Sequence, residues 1–398
     1  MRLTPEVKQF IQEHFSEDTD KLLLTAKRFT GIDVPFAVDQ ILARRRIKDK
    51  LPSWYNNEDL IFPSRLSAEQ CSSEVTAHYK QRLILGPHVC DLTGGLGIDT
   101  WYLSQKAAET YYVERYSEYC EAARTNFHTL GADSIRVISG DASEAVQQLS
   151  VDTFYVDPAR RGGSNKRVFA LSDCEPDILQ LKPLLLERSR RVIVKISPMA
   201  DIEETLRLLP ETREVHILAV RNECKELLFV LENPLSATII PPHIYAVHII
   251  SQEEERVFHF DFQEEKDTAL ILASQPATYL YEPNAALLKS GAFKLIAQRF
   301  DLAKLHRHSH LYTSDTYRPD FPGRIFLTGE VFDFSGKVLK QLSKQIPKAH
   351  LTIRNFPLTV AELRQRSGIE EGGDIYLFAT TLSDNCKVLI QTRKAEKN

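Results

Sequence analysis

Two stretches carry residues whose types and spacing can do chemistry. The first is Asp157-Pro158-Ala159-Arg160-Arg161-Gly162-Gly163, which follows the apolar run Thr153-Phe154-Tyr155-Val156. An acid followed by proline at the carboxyl end of a buried strand sits where open α/β sheets bind their ligands. The Asp157 carboxylate and the Pro158 carbonyl are acceptors there. They can hydrogen-bond an N–H group and orient its nitrogen lone pair, so that positioning does most of the work. The second stretch runs from His88 to Asp99. Val89 to Leu92 reads as a buried strand, Thr93-Gly94-Gly95-Leu96-Gly97 as a tight turn, and a helix follows from about Asp99. Glycines let the backbone turn sharply and approach a ligand closely, and a helix start beyond them offers free amides. The spacing is D-x-x-G-G-x-G, not the G-x-G-x-x-G of dinucleotide sites. Carboxylates at Asp91 and Asp99 suit a ligand bearing an ammonium group and hydroxyls better than a pyrophosphate.

The elements that must position these residues alternate regularly. Thr110 to Glu114 reads as a strand ending in an acid, 23 positions after Asp91. That offset is close to the roughly 20 residues at which an acid meets ribose hydroxyls in βαβ folds. Ile135 to Ile138 is the next strand, closed by Ser139-Gly140-Asp141-Ala142. Asp141 can accept from an adenine amino group, cap the following helix, or do both. Val192 to Ile196 is the fifth strand, Val215 to Val220 the sixth and Leu227 to Leu231 the seventh. The short stretch Asn222–Glu226 leaves no room for a crossover helix, so the last two strands must be antiparallel.

The 398 residues are 43% apolar and 26% charged, as expected of a soluble globular chain of two or three domains. No apolar run reaches membrane-spanning length, no secretory signal is evident at the N-terminus, and a cytoplasmic location is expected. The six cysteines include no C-x-x-C pair, which favours reduced thiols. With a net charge of −4, any nucleic-acid contact must come from local patches.

Residues 1–60 read as helices; their Arg44-Arg45-Arg46 run is a solvated helix end or a phosphate contact. Ser67 to Leu83 reads as one helix capped by Ser67, leading into the glycine turn. After Asn233-Pro234, residues 243–262 alternate as an antiparallel hairpin around Glu253-Glu254-Glu255. Residues 325–398 form a small α+β module with strands at Ile325–Leu327 and Val331-Phe332, then α, β, α, β, β. Lys337, Lys340 and Lys344 recur at three- and four-residue steps on its first helix, a face that suits an RNA backbone or plain solvent. Arg160, Arg161, Lys166 and Arg167 share one loop, where phosphate contact is the functional reading. His306, His308 and His310 alternate but lack a carboxylate or cysteine to complete a set, and no metal is expected.

The glycine turn resembles motif I of the class I S-adenosylmethionine (SAM)-dependent methyltransferases, and 66–232 resembles their amino-group type, close to the RNA guanine-N2 (trimethylguanosine synthase-like) enzymes. Those carry an acid-Pro-Pro-aromatic tetrad, whereas this chain has Ala159 and Arg160 in the last two positions. Asp-Pro-Ala-Arg is also similar to the uracil-C5 enzymes, but Ser197-Pro198-Met199 stands where their attacking cysteine follows the fifth strand, and Cys224 is the sole substitute. Tyr281-Glu-Pro-Asn and Ser309 to Ser314 make the whole similar to a bacterial family that adds a ferredoxin-like piece and a THUMP-like domain. The expected fold is therefore α/β, a seven-stranded Rossmann-like methyltransferase sheet with an antiparallel last strand. The expected division is an N-terminal helical region 1–65, catalytic domain 66–232, hairpin connection 233–276, ferredoxin-like piece 277–324 and THUMP-like domain 325–398.

The resemblance implies SAM as cofactor, held by Asp91, Thr93, Gly94, Gly95, Gly97, Asp99, Glu114, Arg115, Asp141 and Ala142. It implies Asp157 and Pro158 as the catalytic residues and a tRNA or rRNA as partner, methylated on an exocyclic or ring nitrogen. A non-catalytic RNA adaptor that keeps SAM as a structural ligand is the alternative that the altered tetrad suggests. A nicotinamide dehydrogenase would need a glycine spacing and sheet end that this chain lacks.

Overall fold

The structure is a computed structural model that describes residues 2–160, 171–233 and 241–395. The chain divides into two compact units. One comprises Met1–Leu218, Lys225–Ile240 and Ile249–Glu255; the other comprises Ala219–Cys224, Pro241–His248 and Arg256–Asn398.

The first sheet contains β1 (His88–Asp91), β2 (Glu109–Glu114), β3 (Ile135–Ser139), β4 (Thr153–Val156), β5 (Arg191–Ile196), β6 (Thr212–Val220), β7 (Glu223–Glu232), β8 (His243–Ile249) and β9 (Glu255–Asp261). Its order is β9-β8-β6-β7-β5-β4-β1-β2-β3. The pairs β1–β2, β2–β3, β1–β4 and β4–β5 are parallel, and β5–β7 is antiparallel. The antiparallel strand expected from the short Asn222–Glu226 stretch is present. The loop is tighter still: Arg221 and Asn222 alone separate β6 from β7, with φ of 52° and 59°. Two successive positive φ values make the two-residue turn that matches strand twist. The expectation of seven strands is corrected to nine, mixed. The two additions come from the alternating 243–262 stretch, read from sequence as a separate hairpin.

The central strands β4 and β5 are apolar because a parallel strand covered on both faces has no solvent side. Val192, Ile193, Val194 and all of Thr153–Val156 are buried. Lys195 interrupts that pattern.

Ahead of the sheet, helices Pro5–Glu13 and Val34–Ile47 pack through Val7, Phe10, Ile11, Val34, Val38 and Ile41. The arginine run at the end of the second helix is absorbed by the fold. Arg44 is buried and donates to the carbonyls of Tyr55, Asn57, Glu58 and Leu60. Arg45 donates to the carbonyls of Phe15 and Glu17, and Arg46 pairs with Glu69 at 3.0 Å. Two buried amides clamp the next segment. Gln40 exchanges two hydrogen bonds with the Phe62 backbone, and Asn126 does the same with Ile61. The clamp delivers Ser64, which caps helix Arg65–Gln70. The single helix expected over Ser67–Leu83 is in fact broken at Cys71–Ser73. Ser73 caps a second helix, Glu74–Lys80, because two Ser side chains satisfy two sets of free helix amides.

In the second unit a seven-stranded sheet runs β11-β12-β10-β13-β16-β15-β14. Its strands are β10 (Tyr279–Pro283), β11 (Ala303–Lys304), β12 (Tyr312–Ser314), β13 (Gly323–Asp333), β14 (His350–Arg354), β15 (Tyr376–Thr381) and β16 (Lys387–Lys394). The two short strands expected at 325–327 and 331–332 are one strand, β13. Its register against β16 shifts between Thr328 and Val331, a bulge that spans Gly329. Strands β14 and β15 are parallel, and helix Val360–Ser367, with a Thr359/Glu362 capping box, provides the crossover that a parallel pair requires. Helix Gly336–Gln345 buries Leu339 and Leu342, leaving Lys337, Lys340 and Lys344 exposed. Among the described residues no helix is long and apolar enough to cross a membrane. Nor does any group of three or more His, Cys, Asp or Glu side chains in them suit a metal ion.

Candidate active site

A cleft of about 500 Å³ opens over the carboxyl ends of β1, β2 and β4. Of the residues expected at a cofactor, Thr93, Gly94, Gly95, Gly97, Asp99, Glu114, Arg115, Asp141 and Ala142 line it, together with Asp157. Asp91 and Pro158 are not among the lining residues.

Asp91 is 1% exposed and serves the turn. Its Oδ1 accepts from the Thr93 amide at 2.9 Å and its Oδ2 from the Thr100 hydroxyl at 2.6 Å. Burial pushes its pKa up to about 7 against the pull of those hydrogen bonds. Thr93 then relays the turn to the fourth strand: its Oγ1 accepts from the Asp157 amide at 2.7 Å. The glycines answer to protein packing as much as to any ligand. A Cβ on Gly94 would lie 2.2 Å from the Tyr112 ring, and one on Gly97, at φ +88°, would lie 2.8 Å from Phe127.

Glu114 ends β2 with both carboxylate oxygens directed by backbone amides, Oε2 by Gly95 and Oε1 by Tyr116, each at 3.0 Å. Each oxygen keeps a further lone pair, which suits a pair of vicinal hydroxyls. Asp141 caps helix Ala142–Gln148 with one oxygen: Oδ1 accepts from the amide of Ser143 at 2.8 Å and from its hydroxyl. The Ser143 hydroxyl and amide lower its pKa. Arg115 pairs with Glu175 at 2.8 Å, and Glu175 lines the cleft from the far side.

Behind the lining carboxylates Asp99 and Asp157 lie buried charges that composition and motif reading missed. Lys80 is fully buried. Its Nζ lies 2.7 Å from Ser72 Oγ, 2.8 Å from Asp99 Oδ1 and 3.0 Å from Glu226 Oε1. Asp99 Oδ2 also accepts from Ser72 and from Tyr155, each at 2.8 Å. Burial opposes ionisation of Asp99, but Lys80 and Lys195 outweigh it and hold its pKa below the ordinary value. Lys195 pairs with Asp157 Oδ2 at 2.5 Å. Burial works against its charge, yet Asp157, Glu226 and Asp99 raise its pKa. The sequence did carry a signal for both lysines. An ammonium within an apolar strand, or on the apolar side of a helix, must find an anion or be expelled.

Helix Arg65–Gln70 and the Cys71–Ser72 break form another wall of the cleft. The thiol that lines it is Cys71, not Cys224, and burial raises the Cys71 pKa, which disfavours a nucleophilic thiolate. Of the loop cations, Arg161, Lys166 and Arg167 lie outside the described residues. Arg160 is described through its backbone, which pairs with Cys174 as Ala159 pairs with Glu175.

Comparison with known proteins assigns a family to this architecture. The family model for a ferredoxin-like domain matches residues 279–322, and the one for a THUMP domain-like fold matches residues 323–394. A crystal structure from Porphyromonas gingivalis W83, described as a "putative methyltransferase", is 40% identical with a TM-score of 0.89. The match covers 100% of both chains. The chain belongs to the family of that protein, a methyltransferase-like α/β fold carrying ferredoxin-like and THUMP-like domains at its C-terminal end. Two curated relatives match shorter stretches. A protein-L-isoaspartate O-methyltransferase of Brucella anthropi is 41% identical over 58 residues, 15% of this chain. A protein of Clostridium tetani described as an uncharacterized RNA methyltransferase is 30% identical over 94 residues, 22% of this chain. The matches span 27% and 20% of those two proteins' lengths.

Proposed function

We propose that the protein is a SAM-dependent methyltransferase acting on a base nitrogen of an RNA, tRNA or rRNA, in the cytoplasm. The observation that carries this reading is one cleft shared by a glycine turn, a ribose-suited acid at Glu114 and an amine-suited acceptor at Asp157. The residues present fit the cofactor. Glu114 offers two fixed acceptors for hydroxyls, Asp141 an oxygen beyond its capping bond, and Asp99 a carboxylate for an ammonium. When bound, SAM supplies a methyl group activated by its sulfonium.

Asp157 accepts an N–H of the substrate and turns the nitrogen lone pair toward that carbon. The bound cofactor would supply the methyl carbon and, in its sulfur, a leaving group that keeps the C–S electron pair, while Asp157 holds the nitrogen in line and the nitrogen's proton passes to solvent. No protein nucleophile takes part. The family descriptions support RNA as substrate through the THUMP-like match and the C. tetani relative. In this reading Lys337, Lys340 and Lys344 contact the RNA backbone, joined by Arg160, Arg161, Lys166 and Arg167 at the catalytic loop. The divisions 1–65, 66–232, 233–276, 277–324 and 325–398 follow the same reading.

Transfer of labelled methyl from SAM to total RNA of a strain lacking the gene tests it. The wild-type protein labels one RNA class, and Asp157→Ala abolishes the label while SAM binding persists. Absence of label in every RNA class, with SAM bound, would favour the adaptor reading instead.

A further inference from the structure

We propose that Lys195 is a positioning residue that holds one oxygen of Asp157 and so aims the other at the substrate amine. The proposal rests on the SAM-dependent reading and deepens it. Asp157 is held at two points. Its amide donates to Thr93 Oγ1 at 2.7 Å, and its Oδ2 sits 2.5 Å from Lys195 Nζ. Lys195 lies on β5 directly beside β4, one residue beyond the Val156–Val194 pair, so the sheet register itself sets the contact. The Lys195 side chain is 14% exposed against 37% for Asp157, so the ion pair has its cationic end inward and its acidic end toward the cleft.

The neighbouring groups anchor the cation. Asp99 and Glu226 act on it from nearby, and Lys80 bridges those two at 2.8 and 3.0 Å. Three carboxyl groups, Asp99, Asp157 and Glu226, thus face two ammonium groups, Lys80 and Lys195. Among the described residues the oxygen left over is Asp157 Oδ1, on a residue that lines the cleft. A carboxylate with an ammonium fixed on one oxygen is a well-aimed hydrogen-bond acceptor through the other. Such a group selects a neutral nitrogen that still bears a hydrogen, as in the amines conjugated to nucleobase rings. The aromatic missing from the tetrad at Arg160 is consistent with a site that relies on this aimed contact more than on stacking.

The test separates positioning from folding and does not depend on knowing the RNA. Affinities for S-adenosylhomocysteine and for sinefungin, which bears an amine where the reactive methyl sits, are measured by calorimetry for wild type, Lys195→Met, Lys195→Arg and Asp157→Asn. In Lys195→Met the carboxylate loses its resident ammonium and takes the ligand's, so the preference for sinefungin rises about tenfold. In Asp157→Asn the preference falls below wild type, whereas Lys195→Arg, which keeps a cation on Oδ2, retains the wild-type preference. Methyl transfer to RNA by Lys195→Met falls at least about tenfold in kcat, with the KM for SAM changed less than about threefold. Should Lys195→Met fail to fold, Lys195→Gln is read by the same ratio. Equal weakening of both ligands, or an unchanged ratio, overturns the positioning role. Wild type that binds neither ligand overturns the SAM-dependent reading and this proposal with it. Binding without RNA methylation overturns only the enzymatic reading, and the ratio still decides for Lys195.

Discussion

Replacing Lys80 by methionine removes the cation that two buried carboxylates share. Lys80 is 0% exposed, Asp99 and Glu226 lie 2.8 and 3.0 Å from its Nζ, and Ser72 Oγ lies at 2.7 Å. Methionine matches the stem in volume, so packing changes little and the cost is electrostatic. Stripping one partner from a buried pair costs about 3–5 kcal/mol. For a unit of this size that is a fall of roughly 6–20 °C in Tm. The cost depends on pH with a definite sign. In the native protein the Asp99 pKa is depressed, since Lys80 and Lys195 overcome burial. Its contribution to stability is present above the unfolded pKa and is lost as pH falls through the depressed value. Without Lys80, burial dominates and the carboxyl takes up a proton at higher pH. The deficit of Lys80→Met is therefore largest near pH 7.5 and shrinks toward pH 5. Adding Glu226→Gln to Lys80→Met recovers about 1 kcal/mol or more, because one uncompensated charge is removed. Urea unfolding and thermal melts of the three proteins at two pH values are the assay. A deficit that is the same at both, or a Tm within 2 °C of wild type at pH 7.5, would refute the shared-cation argument.

Three further outcomes are expected. Glu114→Ala removes the two acceptors placed at the end of β2 and weakens SAM binding by about 10- to 150-fold, measurable by calorimetry; an unchanged Kd would place the ribose elsewhere. Asp91→Asn flattens the pH dependence of stability. The native carboxyl's pKa is raised to about 7, so wild type loses stability as pH rises from the unfolded value toward 7, by roughly 4 kcal/mol from this group. Thermal melts of both proteins across pH 4–8 compare the slopes, and parallel curves would contradict the assignment. Gly94→Ala drives a Cβ to 2.2 Å from the Tyr112 ring and costs about 1–3 kcal/mol, relieved in the double variant with Tyr112→Leu. Full additivity of the two changes would show that Gly94 answers to something other than Tyr112.

The sheet and most of the cleft were legible in the sequence because they rest on local signals. Apolar runs of four to six residues fixed the strands, the chain ends of β1, β2 and β4 fixed which side chains meet, and a loop too short for a helix fixed the antiparallel β7. Non-local pairing was not legible. The alternating 243–262 stretch reads as a hairpin whether or not it adds to a larger sheet, so nine strands were read as seven. Ile325–Leu327 and Val331-Phe332 read as two strands, but pairing with β16 carries one strand, β13, through a bulge between them. Ser67 and Ser64 are equally good caps by type, and only the clamp by Gln40 and Asn126 selects Ser64. The lysines behind the cleft carboxylates stayed hidden for the same reason. Lys80 and Lys195 stand far apart in sequence from each other and from Glu226, and their partners are set by the closed sheet alone.

The most direct measurement is a crystal structure with S-adenosylhomocysteine. The ribose is expected on Glu114, the amino-acid end toward Asp99, and the sulfur facing Asp157, with Lys195 still on its Oδ2. Ligand density elsewhere in the molecule, or a sulfur turned away from Asp157, would contradict it.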